Sequence, residues 1–259
     1  MRAVIMAGGR GTRLAPFTKV LPKPLIPLGD YPIVEIIMCQ LRDAGYCDIT
    51  LAVNYLADLF KAYFGDGSRL ELNVDYSLET KRLGTAGPLS LINRPSDPFL
   101  MMNADLLTDL DFADMYDFHL RSDAAITMAL YSREVKIDFG VIEVDDQSRI
   151  VACREKPTYN YLVNMGIYIV SPEVLDYVPY NEYYDFTTLV DAVRADGKNV
   201  MGYVFDGEWM DLGRIADFAK ASEDHERLAL AASEGRGLGE CLAAALDEGI
   251  ALEPVLVAD

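Results

Sequence analysis

Short apolar runs that read as strands alternate with segments of helical period over the first 122 residues, and this alternation constrains the fold more than any other feature. Arg2–Met6 is apolar and runs into Ala7-Gly8-Gly9, a strand entering a glycine loop. Residues 31–44 space their apolar side chains as a helix does and stop at Gly45. Asp48–Val53 reads as a strand, 56–64 as a helix, 70–76 as a strand, and 98–103 as a buried strand ending at polar Asn103 and Asp105. Strands separated by helices pair in parallel, with helices on both faces. The expected class is α/β, with a Rossmann-like, mixed but mostly parallel central sheet.

After residue 122 the pattern changes. Residues 124–131, 140–144, 149–154 and 163–170 read as consecutive strands, with Asp145-Asp146-Gln147-Ser148 as a hairpin turn. A helix at 185–195, a strand at Val200–Phe205, a long helix at 214–232 and a short helical piece at 241–246 follow. No repeat or linker interrupts the chain. One domain over 1–259 is expected, with a first half at 1–122, a second at 123–218 and a helical tail at 219–259.

No segment approaches the roughly 20 uncharged apolar residues of a membrane span, and the N-terminal run is too short for a signal peptide. Cytoplasm is the expected location. Cys39, Cys47, Cys153 and Cys241 form no CxxC pair and read as small core residues. His119 and His225 lie in acidic helical contexts and read as exposed. The formal charge is −18, which disfavours nucleic acid and anionic membranes as partners. Yet residues 1–29 hold Arg2, Arg10, Arg13, Lys19 and Lys23 and no acid, while 222–259 holds nine acids against two arginines. A cationic island in an anionic chain points to a small phosphorylated ligand.

That island contains the strongest motif, Ala7-Gly8-Gly9-Arg10-Gly11-Thr12-Arg13-Leu14, followed by Pro22-Lys23-Pro24-Leu25. Glycines let backbone N–H groups approach phosphates, and Arg13 and Lys23 supply charge. Neither the P-loop nor the GxGxxG spacing fits.

From Gly8 to Gly45, and again at LGTAGPL (83–89), NAD (103–105), FGVIEVD (139–145), EKP (155–157), VNMGIYIV (163–170) and WMDLG (209–213), the chain resembles the sugar-1-phosphate nucleotidyltransferases, in that family's order. LGTAGPL resembles most the mannose-1-phosphate guanylyltransferase branch. The resemblance implies transfer of a nucleotidyl group from a nucleoside triphosphate to a sugar 1-phosphate. It makes the first half nucleotide-binding and the second sugar-phosphate-binding. Ala7, Gly8, Gly9, Gly11, Thr12, Gly84 and Thr85 would bind nucleotide. Arg13 and Lys23 would be catalytic, offsetting charge on the phosphates. Asp105 and Asp211 would share Mg²⁺, Glu155, Asn164 and the Gly140 backbone would hold the sugar, and Lys156 its phosphate.

The base is read from Glu79, five residues before Gly84, where thymidylyl relatives place glutamine. A carboxylate offers only acceptors. Guanine presents two adjacent donors, whereas uracil and thymine present one donor flanked by acceptors. GTP is the expected donor, unless Glu79 is a solvated loop acid. Mannose, heptose and cyclitol phosphates are not separated. A homodimer through Leu228, Leu230, Leu242 and Leu246 of the tail, a uridylyl- or thymidylyltransferase, and a non-catalytic regulator on the same fold remain open.

Overall fold

The computed structural model describes residues 1–9, 18, 20–54 and 56–212. Arg10, Gly11, Thr12 and Arg13, together with the predicted tail helices, His225 and Cys241, lie outside the described residues.

In chain order the elements are β1 (Arg2–Met6), β2 (Pro27–Leu28), β3 (Tyr31–Pro32), α1 (Ile33–Asp43), β4 (Asp48–Val53), α2 (Ala57–Phe64), β5 (Asn73–Leu78), β6 (Phe99–Asn103), β7 (Leu106–Thr108), α3 (Phe112–Arg121), β8 (Ile126–Lys136), β9 (Val141–Val144), β10 (Ile150–Arg154), β11 (Thr158–Val170), α4 (Phe186–Ala195), β12 (Val200–Phe205) and β13 (Trp209–Asp211). Seven strands form one sheet in the order β12-β8-β11-β6-β1-β4-β5. Only β11 runs antiparallel to its neighbours. The α/β expectation therefore holds, and strands from both halves of the chain share one sheet.

Alternation along the strands places the core on both faces. Ala3, Ile5, Leu51, Leu100 and Ile167 pack against α1, α2 and α3. Val4, Ala52, Met101, Ile126 and Tyr168 pack against Phe186, Leu189 and Val193 of α4. The stacked rings of Tyr168 and Phe186, 3.8 Å between centroids, join sheet to helix on that side. Among the described residues no helix is long and apolar enough to cross a membrane.

Several expectations are corrected. Residues 31–32 are extended: the Pro32 ring disfavours helical backbone at Tyr31, Pro32 itself lies at ψ 142, and the helix starts behind it. Residues 70–72 are not strand. A 3-10 turn, Ser68–Leu70, precedes Glu71 at φ 59, so β5 begins at Asn73. α3 was foreseen only as a helical context around His119, without bounds. Asp111 caps it by accepting from the N–H groups of Ala113 and Asp114 at 2.9 and 3.0 Å. Cys39 is half-buried, and Cys47 and Cys153 are exposed rather than core.

His119 is also buried, not exposed, since Phe112, Met115 and His119 form the inward face of α3. The Ser171 hydroxyl donates to the Ala124 carbonyl at 3.0 Å. His119 Nε2 must therefore carry the proton given to Ser171 Oγ at 3.0 Å, and Nδ1 accepts from the Thr127 hydroxyl at 2.9 Å. Burial holds the imidazole below its usual pKa, with Glu173 opposing. A base depressed in the folded state stabilises fully above its unfolded pKa of about 6.5 and loses that contribution as pH falls below it. Between about pH 7 and about pH 5, the thermal midpoint of His119→Asn should fall less than that of the parent chain. Equal falls would remove His119 from the acid sensitivity.

Candidate functional site

The carboxyl ends of β1, β4, β5 and β6 lie along one edge of the sheet and lead directly into Ala7-Gly8, Asn54, Glu79 and Asn103-Ala104-Asp105. β4 and β5 lie to one side of β1, and β6 to the other. The loops after β1 and β6 therefore diverge, which opens the crevice where ligands bind in sheets of this kind.

Ala7 is buried and its N–H donates to the Ala52 carbonyl at 2.8 Å. At Gly8 an added Cβ would collide with Oε1 of Glu79 and lie 3.5 Å from Asn54 Cβ. The Glu79 carboxylate fills the space that a side chain at Gly8 would need. Among the described residues nothing lies within 4 Å of a Cβ added at Gly9. Glu79 is only 7% exposed, so it is not a solvated loop acid. Burial pushes its carboxyl up, and the Leu83 backbone N–H and the Asn54 amide oppose the shift. Asn54 was missed from the sequence. Its signal is a polar residue directly after the apolar strand Asp48–Val53, the position Glu79 holds after β5.

Gly84 takes φ 81, and a Cβ there would lie 2.7 Å from the Tyr184 carbonyl and 2.9 Å from Asp185 Oδ1. Beside it the Thr85 hydroxyl accepts the Phe186 N–H at 2.8 Å, capping α4. The Gly84-Thr85 turn is thus built against the start of α4.

Across the crevice, Lys23 begins a 3-10 turn and is 6% exposed. Its ammonium donates to Oδ2 of Asp105. A buried ammonium requires such a partner. β7 pairs antiparallel with β13, setting Asp211 opposite Leu106, and the Leu212 N–H donates to the Asp105 carbonyl at 2.9 Å. Two acids 106 positions apart thus reach neighbouring backbone positions. The ribbon is clamped at its far end: Thr108 donates to the Glu208 carbonyl at 2.9 Å, and Asp109 accepts the Glu208 N–H at 2.7 Å. Trp209, also missed, donates to the Met165 carbonyl at 3.2 Å and packs on Tyr131 at 5.5 Å. Among the described residues no three metal-ligating side chains cluster.

Of the second-half residues, Gly140, Glu155 and Lys156 flank the β9–β10 hairpin, and Asn164 lies on β11 opposite Leu130. A Cβ at Gly140 would lie 3.2 Å from Glu155 Oε2. Glu155 and Lys156 are exposed, and Lys156 takes φ 43. Asn164 uses its amide within the protein, donating to the Tyr168 hydroxyl at 2.7 Å and accepting from the Gly166 N–H at 2.9 Å. It pins the irregularity between Asn164 and Tyr168 in the β11–β8 pairing.

Comparison with known proteins matches residues 2–227 to the nucleotidyl transferases. The chain belongs to the nucleotidyl transferase family. A UTP--glucose-1-phosphate uridylyltransferase of Synechocystis sp. is 34% identical over 245 residues, covering 85% of this chain and 62% of that relative. A mannose-1-phosphate guanylyltransferase of Mycobacterium tuberculosis is 34% identical over 230 residues, covering 86% and 64%. The chain thus spans less than two thirds of the length of these curated relatives. A structure of a putative glucose-1-phosphate thymidylyltransferase from Bacillus anthracis shares the fold, with TM-score 0.69 at 22% identity over 94% of this chain and 99% of that one.

The nucleotidyl transferase fold places Gly8 against Glu79, and a double-mutant cycle tests that contact. Gly8→Ala should cost about 1–3 kcal/mol in urea unfolding through overpacking. Gly8→Ala combined with Glu79→Ala should recover most of the loss. Additive losses would show that the two side chains do not compete for space.

Proposed function

We propose that the chain transfers a guanylyl group from GTP to a mannose- or heptose-like sugar 1-phosphate, releasing pyrophosphate and giving a GDP-sugar. The observation that carries this reading is the meeting of Lys23, Asp105 and Asp211 at the β1–β6 crevice where Gly8 and Glu79 lie. A sugar phosphate oxygen attacks the α-phosphorus and the bond to pyrophosphate breaks. The nucleophile is already anionic, so no general base is required. What the reaction requires is charge to offset two approaching anions. Lys23 brings one cation, and Arg13 and Lys156 are the further ones in the proposal.

Mg²⁺ is the proposed cofactor. Two carboxylates joined to substrate phosphates suit its hard, oxygen-only coordination, and Asp105 and Asp211 would hold it. When bound it supplies charge neutralisation and a template for both phosphates. Glu155, Asn164 and the Gly140 backbone would orient the sugar.

Guanine follows from the environment of Glu79. Burial disfavours its charge, and the N1–H and N2 amine of guanine would supply donors to it. A pyrimidine acceptor facing that carboxylate would cost on the order of 1–3 kcal/mol. The relative named for UTP supports a uridylyl reading as the alternative. The excess of acids, −18 overall, fits a cytoplasmic protein that does not bind nucleic acid.

Pyrophosphate release with GTP, UTP, dTTP, CTP and ATP against several sugar 1-phosphates tests the reading. GTP should exceed the pyrimidine triphosphates by roughly 5- to 150-fold, and equal or faster release with UTP would refute guanine. Asp211→Ala should abolish metal-dependent turnover while circular dichroism stays unchanged; retained turnover would remove Asp211 from the mechanism. Lys156→Ala should raise the KM for sugar phosphate far more than for nucleotide, and equal changes would contradict its role.

A further inference from the structure

Both α3 and α4 begin behind an aspartate, and the two aspartates behave differently. Asp111 gives its carboxylate to the first N–H groups of α3. Asp185 holds the same position before α4, yet its side chain accepts no N–H of that helix. The cap comes from the Thr85 hydroxyl instead, which accepts the Phe186 N–H at 2.8 Å. Asp185 turns its carboxylate the other way. Oδ1 accepts from the Thr85 hydroxyl at 3.4 Å, and Oδ2 accepts from the Tyr183 hydroxyl at 2.9 Å. An aspartate at a helix start ordinarily stabilises its own helix. One that does not is engaged by something else.

The surroundings show what it holds. Tyr183 is fixed on its other side by Arg82, whose guanidinium lies 6.0 Å from the ring centroid. Backbone completes the clasp. The Tyr184 N–H donates to the Leu83 carbonyl at 2.8 Å, and the Tyr184 carbonyl accepts from the Ala86 and Gly87 N–H groups at 2.9 and 3.0 Å. The loop after β5 is therefore gripped by residues 183–186, from 100 positions later in the chain. Leu83 passes the grip on, because its N–H donates to the Glu79 carboxylate while its carbonyl is held by Tyr184.

We infer that Asp185 is a positioning residue for base selection. By fixing Tyr183 and the Gly84-Thr85 turn, it holds Leu83 where its N–H keeps Glu79 in one orientation. This rests on the proposed function, in which Glu79 meets the base; Asp185 acts through the loop and does not touch the nucleotide. A carboxylate held in advance discriminates between base edges, whereas one free to swing adapts to either. The sugar-phosphate residues Glu155 and Lys156 follow β10, outside the clasp, so loosening it acts on the nucleotide side alone.

Steady-state kinetics of the full chain with mannose 1-phosphate and either GTP or UTP test the role. Asp185→Ala should raise the nucleotide KM roughly 5- to 10-fold with kcat little changed. The parent's preference between GTP and UTP, in either direction, should fall at least roughly threefold. The KM for mannose 1-phosphate should stay within about twofold. Asp185→Asn keeps an acceptor for Thr85 and a partner for Tyr183, and should restore the parent's values. Tyr183→Phe removes one of the two bonds and leaves the cap on α4 intact, so it should give a smaller change in the same direction. A preference unchanged in Asp185→Ala, or in Tyr183→Phe should the first variant not fold, would overturn the role. So would equal rises in both KM values, or an Asp185→Asn chain as impaired as Asp185→Ala. Amide hydrogen exchange of the peptide carrying Leu83, Ala86 and Gly87 requires no turnover. It should be several-fold faster in Asp185→Ala than in the parent and Asp185→Asn, and equal exchange would overturn the clasp. A parent chain inactive with both triphosphates would remove the proposed function instead, and exchange alone would then decide the clasp.

Discussion

The pairing of β7 with β13 is the constraint on which the site depends. It alone brings a residue from the end of the described chain beside the loop after β6, and does so through backbone bonds at Leu106–Asp211 and Leu212–Asp105. A ribbon of three residues per strand has little stability by itself. Its supports are therefore specific: Thr108 and Asp109 clamp Glu208, and the Trp209 indole ties the ribbon to the Met165 carbonyl on β11. Because Asn164 and Gly166 shape β11 on either side of Met165, the β7–β13 ribbon and β11 are braced through one side chain. Lys23 closes the arrangement from the other side, since its buried ammonium would be costly without the Asp105 carboxylate.

Much of this was legible in the sequence, for physical reasons. β1, β4 and β12 match the expected spans residue for residue; β1 and β4 are buried parallel strands that read as unbroken apolar runs, and β12 is a half-exposed edge strand. Gly8, Lys23, Glu79, Asp105 and Asp211 were singled out, and the fold sets them along one edge. β7 and β13 were not foreseen, and α3 only without bounds. The two strands are too short to show a period and exist only through each other. α3 mixes acids with Phe112, Met115 and His119, and only the helical spacing of those three reveals its buried side. His119 was misread because its acidic neighbours point outward while its own partners, Thr127 and Ser171, come from strand and loop far along the chain.

The exposed cysteines and the extended strands mark where sequence reasoning failed for a different reason. β8 runs to Lys136 and β11 begins at Thr158, five or more residues beyond the expected spans. These added residues, Ser-Arg-Glu-Val-Lys on β8 and Thr-Tyr-Asn-Tyr-Leu on β11, have no core beneath them, so no run of buried apolar side chains announces them. Cys153 lies on β10, which has no buried residue.

Lys156 sharpens the point. A lysine at φ 43 sits in a region that disfavours L-residues, and such strain costs of order 1–3 kcal/mol, persisting only where surroundings over-determine it. Asp105 and Asp211 are held by paired backbone, and Glu79 by burial. Lys156 has neither, because β10 ends two residues earlier and both it and Glu155 are exposed. The edge that carries Gly8, Glu79 and Asp105 is thus fixed by paired backbone and burial, whereas the turn at Glu155-Lys156 is not.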